Sequence, residues 1–115
     1  MPLNHAISLE TYPILATYSA GWAAFDGDTV CTAFTAQGVY IDMQVTEGVR
    51  GQALADYVRS LAGQFTLKSG AHHLLPDGQL EAHWSMFNPA GEWMMDGKDH
   101  ITFEDGKIAR VVGSW

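Results

Sequence analysis

The chain has 115 residues and a formal net charge of −7, from 6 Lys and Arg against 13 Asp and Glu, which suits one continuous core and is too short for a second lobe. The acidic balance argues against nucleic acid or an anionic membrane as partner, since both need a basic face, and leaves a small neutral or weakly polar ligand. Its one cysteine, Cys31, allows no intrachain disulfide and reads as a buried thiol of a reducing, cytoplasmic compartment.

In chain order, "MPLNHAISLE" has neither a basic start nor a long apolar run, and no window reaches the roughly 20 apolar residues of a membrane span. "PILATYSAGWAAF" repeats Leu15, Tyr18, Trp22 and Phe25 at steps of three and four, which predicts a helix over 13–25 with Pro13 in its first turn. Asp28 can cap a second, short helix over 28–34, and "GQALADYVRSLAG" predicts a third over 52–62 with Leu54, Tyr57, Val58 and Leu61 on one side. "GVYIDMQV" alternates as a strand. Beyond the third helix come "TLKSGAHHLL", "QLEAHWSMF", "EWMMDGKDHITF" and "KIARVVGSW", separated by "PDG", "NPAG" and "EDG" turns. The expected fold is α+β: a cone-shaped, curved antiparallel sheet with three helices packed on its concave side, in a single domain over 1–115.

One residue breaks the pattern of the "KDHITFED" strand. Asp99 shares a face with Ile101 and Phe103, where an unpaired charge is costly. Its partner depends on the turn that follows. A two-residue Asp105-Gly106 turn sets Arg110 opposite Ile101, diagonal to Asp99 on the same face; a three-residue loop shifts the register by one, turns Arg110 away and leaves Asp99 in apolar surroundings. The sequence is compatible with both.

No metal or phosphate cofactor is expected. His72 and His73 are adjacent and point to opposite faces of a strand, neither His83 nor His100 has a second ligand at a recognisable spacing, and there is no GxGxxG, P-loop or GxSxG.

"YSAGWAAFDGDTVCTAFTAQGVYID", "RGQALADYV" and "DHITFEDGKIARVV" together resemble the nuclear-transport-factor-2-like superfamily, in its SnoaL-like and ketosteroid-isomerase-like branch. The resemblance covers nearly the whole chain and implies a cone-shaped domain that dimerises through the outer face of its sheet. Steroid isomerases of that superfamily carry a tyrosine on the first helix, an aspartate on the first strand and an aspartate opening a late strand. Tyr18, Asp42 and Asp99 match these, with one departure: Met43 stands where the isomerases usually have proline. The resemblance implies a cofactor-independent isomerase in which Asp42 is the base, while Tyr18 and a protonated Asp99 donate to the enolate oxygen of an apolar, steroid-like ketone. Trp22, Tyr57, Trp84, Met86, Met95 and Phe103, with Trp93, are the candidate walls of its pocket.

Other readings of the same residues remain open. Tyr18 is also a plausible core tyrosine, and Asp42, on one side with Tyr40 and Gln44, faces away from the apolar row of Val39, Ile41, Met43 and Val45. A polyketide cyclase could run on an ionised Asp99 alone, and a non-catalytic ligand-binding or dimerisation module needs only the apolar pocket. Chemistry resembling that of the limonene epoxide hydrolases would need an Asp-Arg-Asp set, for which no arginine is well placed. A homodimer through the outer face would cover Ile41 and Met43.

Overall fold

The computed structural model describes residues 12–115; the expectation for residues 1–10 lies outside them. Helix α1 spans Pro13–Ala24, with the proline at its start and Leu15, Tyr18, Gly21 and Trp22 forming its buried side. It ends where Phe25 turns left-handed (φ 51°) and the Asp26 N–H donates to the Gly21 carbonyl at 2.8 Å. Helix α2 spans Gly27–Thr32 and is capped by Asp26, not by the expected Asp28: the Asp26 carboxylate accepts from the Thr29 N–H at 3.2 Å and from its hydroxyl at 2.8 Å. Asp28 instead lies one position inside the helix and pairs with Arg59. Gly27 is needed there, because a Cβ at this position would lie 2.1 Å from the Ala55 carbonyl oxygen of helix α3, Gln52–Ser60.

Five strands follow the expected boundaries closely, apart from the first: β1 Phe34–Ile41, β2 Thr66–Leu74, β3 Leu80–Phe87, β4 Trp93–Glu104 and β5 Lys107–Ser114. β1 starts four residues before the expected "GVYIDMQV" and stops short of Asp42. The cause is local. The Asp42 carboxylate accepts the backbone N–H groups of Gln44 at 2.8 Å and Val45 at 3.1 Å, a turn that competes with the ladder.

The strand order is β1-β5-β4-β3-β2. β2 to β5 form the expected antiparallel meander, and β1 joins at the edge parallel to β5, because helix α3 carries the chain from β1 across to the far edge before the meander returns. Irregularities in all four pairings bend the sheet into a curved, unclosed cone. Its concave side meets the helices through Leu15, Val30, Leu54 and Val58 against Leu80, Ile101, Ile108 and Val111, each at most 1% exposed. Among the described residues no helix is long and apolar enough to cross a membrane.

The β4–β5 hairpin combines parts of both expected arrangements. Its turn is the two-residue one, with Asp105 (φ 53°) and Gly106 (φ 77°) both left-handed and Glu104 opposite Lys107. The register then shifts between Phe103, opposite Ile108, and Thr102, opposite Arg110, so Ala109 is the extra residue of a bulge. Beyond it Ile101 faces Val111 and Asp99 faces Gly113, while Arg110 is exposed. The tight turn therefore delivers the register of the longer loop.

Candidate functional site

A cavity of about 130 Å³ opens between α1, α3 and the concave face of the sheet, and Tyr18, Asp42 and Asp99 all line it. Asp42 is 4% and Asp99 7% exposed. The row of β1 that turns inward is thus the polar one: Tyr40 is buried and Asp42 follows it just past the strand end, whereas Met43 is 56% exposed.

Gly113 lies beside both acids: a Cβ there would lie 2.9 Å from Asp99 Oδ1 and in ordinary contact with the Tyr40 hydroxyl (3.4 Å) and Asp42 Cβ (3.5 Å), so the glycine leaves room for the Asp99 carboxylate. The surroundings of the two acids differ. Asp42 receives four donors: Gln44 N–H and Val45 N–H on Oδ1, and the hydroxyls of Tyr40 (2.9 Å) and Tyr57 (2.7 Å) on Oδ2. Asp99 receives two, Tyr18 Oη–H on Oδ2 at 2.9 Å and Trp84 Nε1–H on Oδ1 at 3.2 Å. A carboxylate offers about four acceptor positions, so Asp42 is saturated and Asp99 keeps free lone pairs.

Burial is the main reason that the Asp99 carboxyl titrates at about 6 instead of 3.8; the Asp42 charge adds to the rise, and the bonds from Tyr18 and Trp84 oppose it. Burial also pushes the Tyr18 phenol well above its ordinary value, with the Asp99 charge reinforcing the effect, and raises Tyr40 and Tyr57 likewise. At neutral pH Tyr18 is a neutral donor to a mostly ionised Asp99.

Of the expected pocket walls, Trp22, Tyr57, Trp84 and Met86 line the cavity. Met95 and Phe103 do not. Met95 lies toward the open end of β4, beyond Gly97, over which the Trp84 ring is folded, and Phe103 lies past Ile101, stacked on Tyr12 with centroids 5.6 Å apart. Trp93 is 62% exposed. Of the two arrangements open for Asp99, the pair with Arg110 does not form, because the bulge at Ala109 turns Arg110 away.

Residues that the sequence reading did not single out complete the site. Tyr40 holds Asp42 from two positions away, a relation visible in the i, i+2 spacing. His72 is 4% exposed and lines the cavity, its pKa lowered chiefly by burial; no spacing distinguished it from His73. Among the described residues no three His, Cys, Asp or Glu side chains gather as a metal set.

A cone-shaped α+β fold with two buried carboxylates in one hollow is the architecture of the SnoaL-like domains. Residues 15–111 match the model of the SnoaL-like domain. The chain belongs to the SnoaL-like family, within the nuclear-transport-factor-2-like superfamily. No curated protein matches it significantly. Among solved structures, a candidate isomerase of the SnoaL-like family from Agrobacterium tumefaciens is similar, with 21% identity, a TM-score of 0.72, and coverage of 89% of this chain and 93% of that one. A candidate ketosteroid isomerase from Kribbella flavida (17% identity, TM-score 0.72, 92% and 77% coverage) and a candidate polyketide cyclase from Sinorhizobium meliloti (17%, 0.72, 88% and 93%) share the fold equally well.

Proposed function

We propose that the protein is a cofactor-independent isomerase that moves a proton next to the carbonyl of a small, apolar, cyclic ketone, with Asp99 as the base. The observation that carries this reading is the unequal solvation of the two carboxylates: Asp42 is saturated by four donors, whereas Asp99 has two and titrates at about 6, near the value suited to a general base at neutral pH. The role that the resemblance gave Asp42 passes to Asp99. Asp42 instead holds the Tyr40 and Tyr57 hydroxyls in place and supplies the charge that lifts Asp99.

In the reaction, Asp99 takes a proton from the carbon between the carbonyl and the C=C bond of a β,γ-unsaturated ketone. The C–H electrons move into the carbonyl to give a dienolate. The Asp99 carboxyl then returns the proton to the γ carbon, leaving the conjugated ketone and a carboxylate. While Asp99 is ionised, Tyr18 commits its only proton to it; once Asp99 is neutral, Tyr18 is released to donate to the enolate oxygen. The cavity, close to the roughly 150 Å³ that holds a benzene, favours a substrate with one ring buried over a four-ring steroid enclosed whole.

Aldol cyclisation of a polyketone is the second reading, because an ionised Asp99 alone could start it; the small cavity argues against enclosing such a chain. The test is the conversion of a one-ring β,γ-unsaturated cyclohexenone to its conjugated isomer, followed by ultraviolet absorbance. No turnover of this substrate together with ring closure of a short linear diketone would replace the isomerase reading with the cyclase one. Ligand binding with neither reaction would leave a binding module.

A further inference from the structure

One row of inward residues runs across the whole sheet, and the proposed reaction uses only part of it. On the concave face His72 of β2 stands opposite Ala82 of β3, Ala82 opposite Asp99 of β4, and Asp99 opposite Gly113 of β5. Asp42 is next in line, its Cβ 3.5 Å from where a Gly113 Cβ would lie. Residues paired across strands project to the same face, and His72, Ala82, Asp99 and Asp42 all line the cavity. Polar residues thus alternate with small ones that leave space between them. The two acids have roles in the proposed reaction, and His72 has none.

A bulge, not the alternation of the strand, brings this histidine inward. Ser69 is opposite Trp84 and His72 is opposite Ala82, three steps along β2 against two along β3, so Gly70 and Ala71 together face His83. Without the extra residue Ala71 would take the inward place and His72 would turn out. As it is, His73 opposes Glu81 with its ring 5.6 Å from that of His83, and His72 is 4% exposed. Burial keeps the His72 imidazole neutral, and the Gly70 carbonyl accepts from one of its nitrogens. A neutral imidazole has one N–H and one bare nitrogen, so with the N–H on Gly70 the bare nitrogen is left as an acceptor. No side chain among the described residues bonds it, and it is not sealed off as a buried polar atom without a partner. An acceptor here faces the donor end of the cavity, formed by Tyr18 and, once it holds the proton, Asp99.

The span between the two ends fits one ring. Two strand spacings of roughly 4.8 Å set the His72 and Asp99 backbones about 10 Å apart, with only the Ala82 methyl group between them. Contacts of about 3 Å at each end leave about 4 Å for the ligand. In a six-membered cyclic ketone, ordinary bond lengths put about 4 Å between the carbon beside the carbonyl and a hydroxyl oxygen on ring position four.

We propose that His72 is a second anchor of the ligand, its bare ring nitrogen accepting a hydrogen bond from a hydroxyl across the ring from the carbonyl. The substrate class is thereby narrowed to one-ring ketones that carry a hydroxyl at the far end. The inference rests on the ring-ketone reading of the cavity but not on turnover.

The test compares 4-hydroxycyclohexanone with 4-fluorocyclohexanone, in which fluorine fills the place of the hydroxyl and cannot donate. Both are titrated into ¹⁵N-labelled wild type, His72→Phe and His72→Gln, and affinities are read from the shifts of cavity residues. The ring nitrogens of His72, assigned through bonds to its own backbone, are followed among those of the five histidines. The expected result is an upfield move of the bare His72 nitrogen with the hydroxy ketone and not with the fluoro ketone. Wild type should prefer the hydroxy ketone by about 3- to 10-fold; His72→Phe should lose that preference, and His72→Gln, whose amide oxygen still accepts, should keep part of it. The wild-type spectra decide the matter even where a variant folds poorly. An unmoved His72 nitrogen with the hydroxy ketone bound, or a preference that survives His72→Phe, would overturn the inference, and turnover of the one-ring enone by the same protein would then leave the isomerase reading standing. Binding of neither ketone would overturn the inference together with the ring-ketone reading. A moved nitrogen in a protein that turns over no enone would leave the inference standing and remove the isomerase.

Discussion

Asp99 is kept in its place by two hydrogen bonds against a desolvation that works to neutralise it, and that balance sets the pH behaviour expected under the proposed isomerase activity. A base must be ionised to accept a proton, so kcat/KM should rise with pH through about 6 and level above it; were Asp99 instead a neutral donor, the profile would fall through the same range. Its partners tune this limb in opposite directions. Tyr18→Phe removes a bond that lowers the Asp99 pKa and should move the limb to higher pH, whereas Asp42→Asn removes a charge that raises it and should move the limb lower. pH–rate profiles of the three proteins check all of this at once. Asp99→Asn should cost 10²-fold or more in kcat, because an amide cannot take the proton, while Asp42→Asn should leave measurable turnover. The reverse order would return the base to Asp42. That Tyr18, Asp42 and Asp99 would face one cavity was legible in the sequence, through the family resemblance and the acid misplaced among Ile101 and Phe103. Their division of labour was not, because it depends on how many donors converge on each carboxylate.

At the scale of elements, the sheet places the acids by sparing side chains opposite them. The Gly97 backbone lies against the Trp84 ring so closely that a Cβ there would fall 2.1 Å from a ring carbon, and Trp84 is one of the two donors to Asp99. Gly97→Ala should therefore drive the indole off its seat, break its bond to Asp99 and shift the activity limb to higher pH, since that bond lowers the Asp99 pKa; near-ultraviolet circular dichroism would report the ring's displacement, and an unchanged spectrum would count against the account. The Asp105-Gly106 turn was readable as a hairpin signal. The bulge at Ala109 was not: nothing in "KIARVV" marks one residue as extra, and the shift follows from fitting β5 between β4 and the parallel edge strand β1.

For the molecule as a whole, a buried carboxyl of raised pKa is a stability term with a definite sign. The folded chain holds the Asp99 proton up to about pH 6, whereas an ordinary aspartate releases it near 3.8, so between these values the native state binds more protons and stability falls as pH rises, flattening above about 6. The full effect is on the order of 3 kcal/mol at 1.4 kcal/mol per pKa unit. Asp99→Asn lacks this penalty and should melt higher than wild type at pH 7, with the advantage shrinking toward pH 4; a constant difference in melting temperature would contradict it. Met43 (56%), Trp93 (62%) and Met94 (42%) are exposed, and the prediction is a homodimer that covers such residues, checked by sedimentation at micromolar concentration. A species of 12.6 kDa would exclude it.

By itself the sequence determined the three helices and the strands of the meander, since periods of 3.6 and 2 and the turn glycines are properties of neighbouring residues, and it determined the family through motifs spread along the chain. The first strand marks where that local reading gave out: Asp42 was assigned to β1 by alternation, yet its carboxylate turns back on the Gln44 and Val45 N–H groups and ends the strand. The tertiary structure decided what each side chain meets. It brought Tyr40, Tyr57 and two backbone amides to Asp42, left Asp99 with two donors, and put Met95 and Phe103 outside the cavity. The physical reason is that hydrogen-bond partners separated by up to 81 residues, as Tyr18 and Asp99 are, meet only after register, bulges and helix packing are set, and a one-residue slip in any of them turns a side chain to the opposite face.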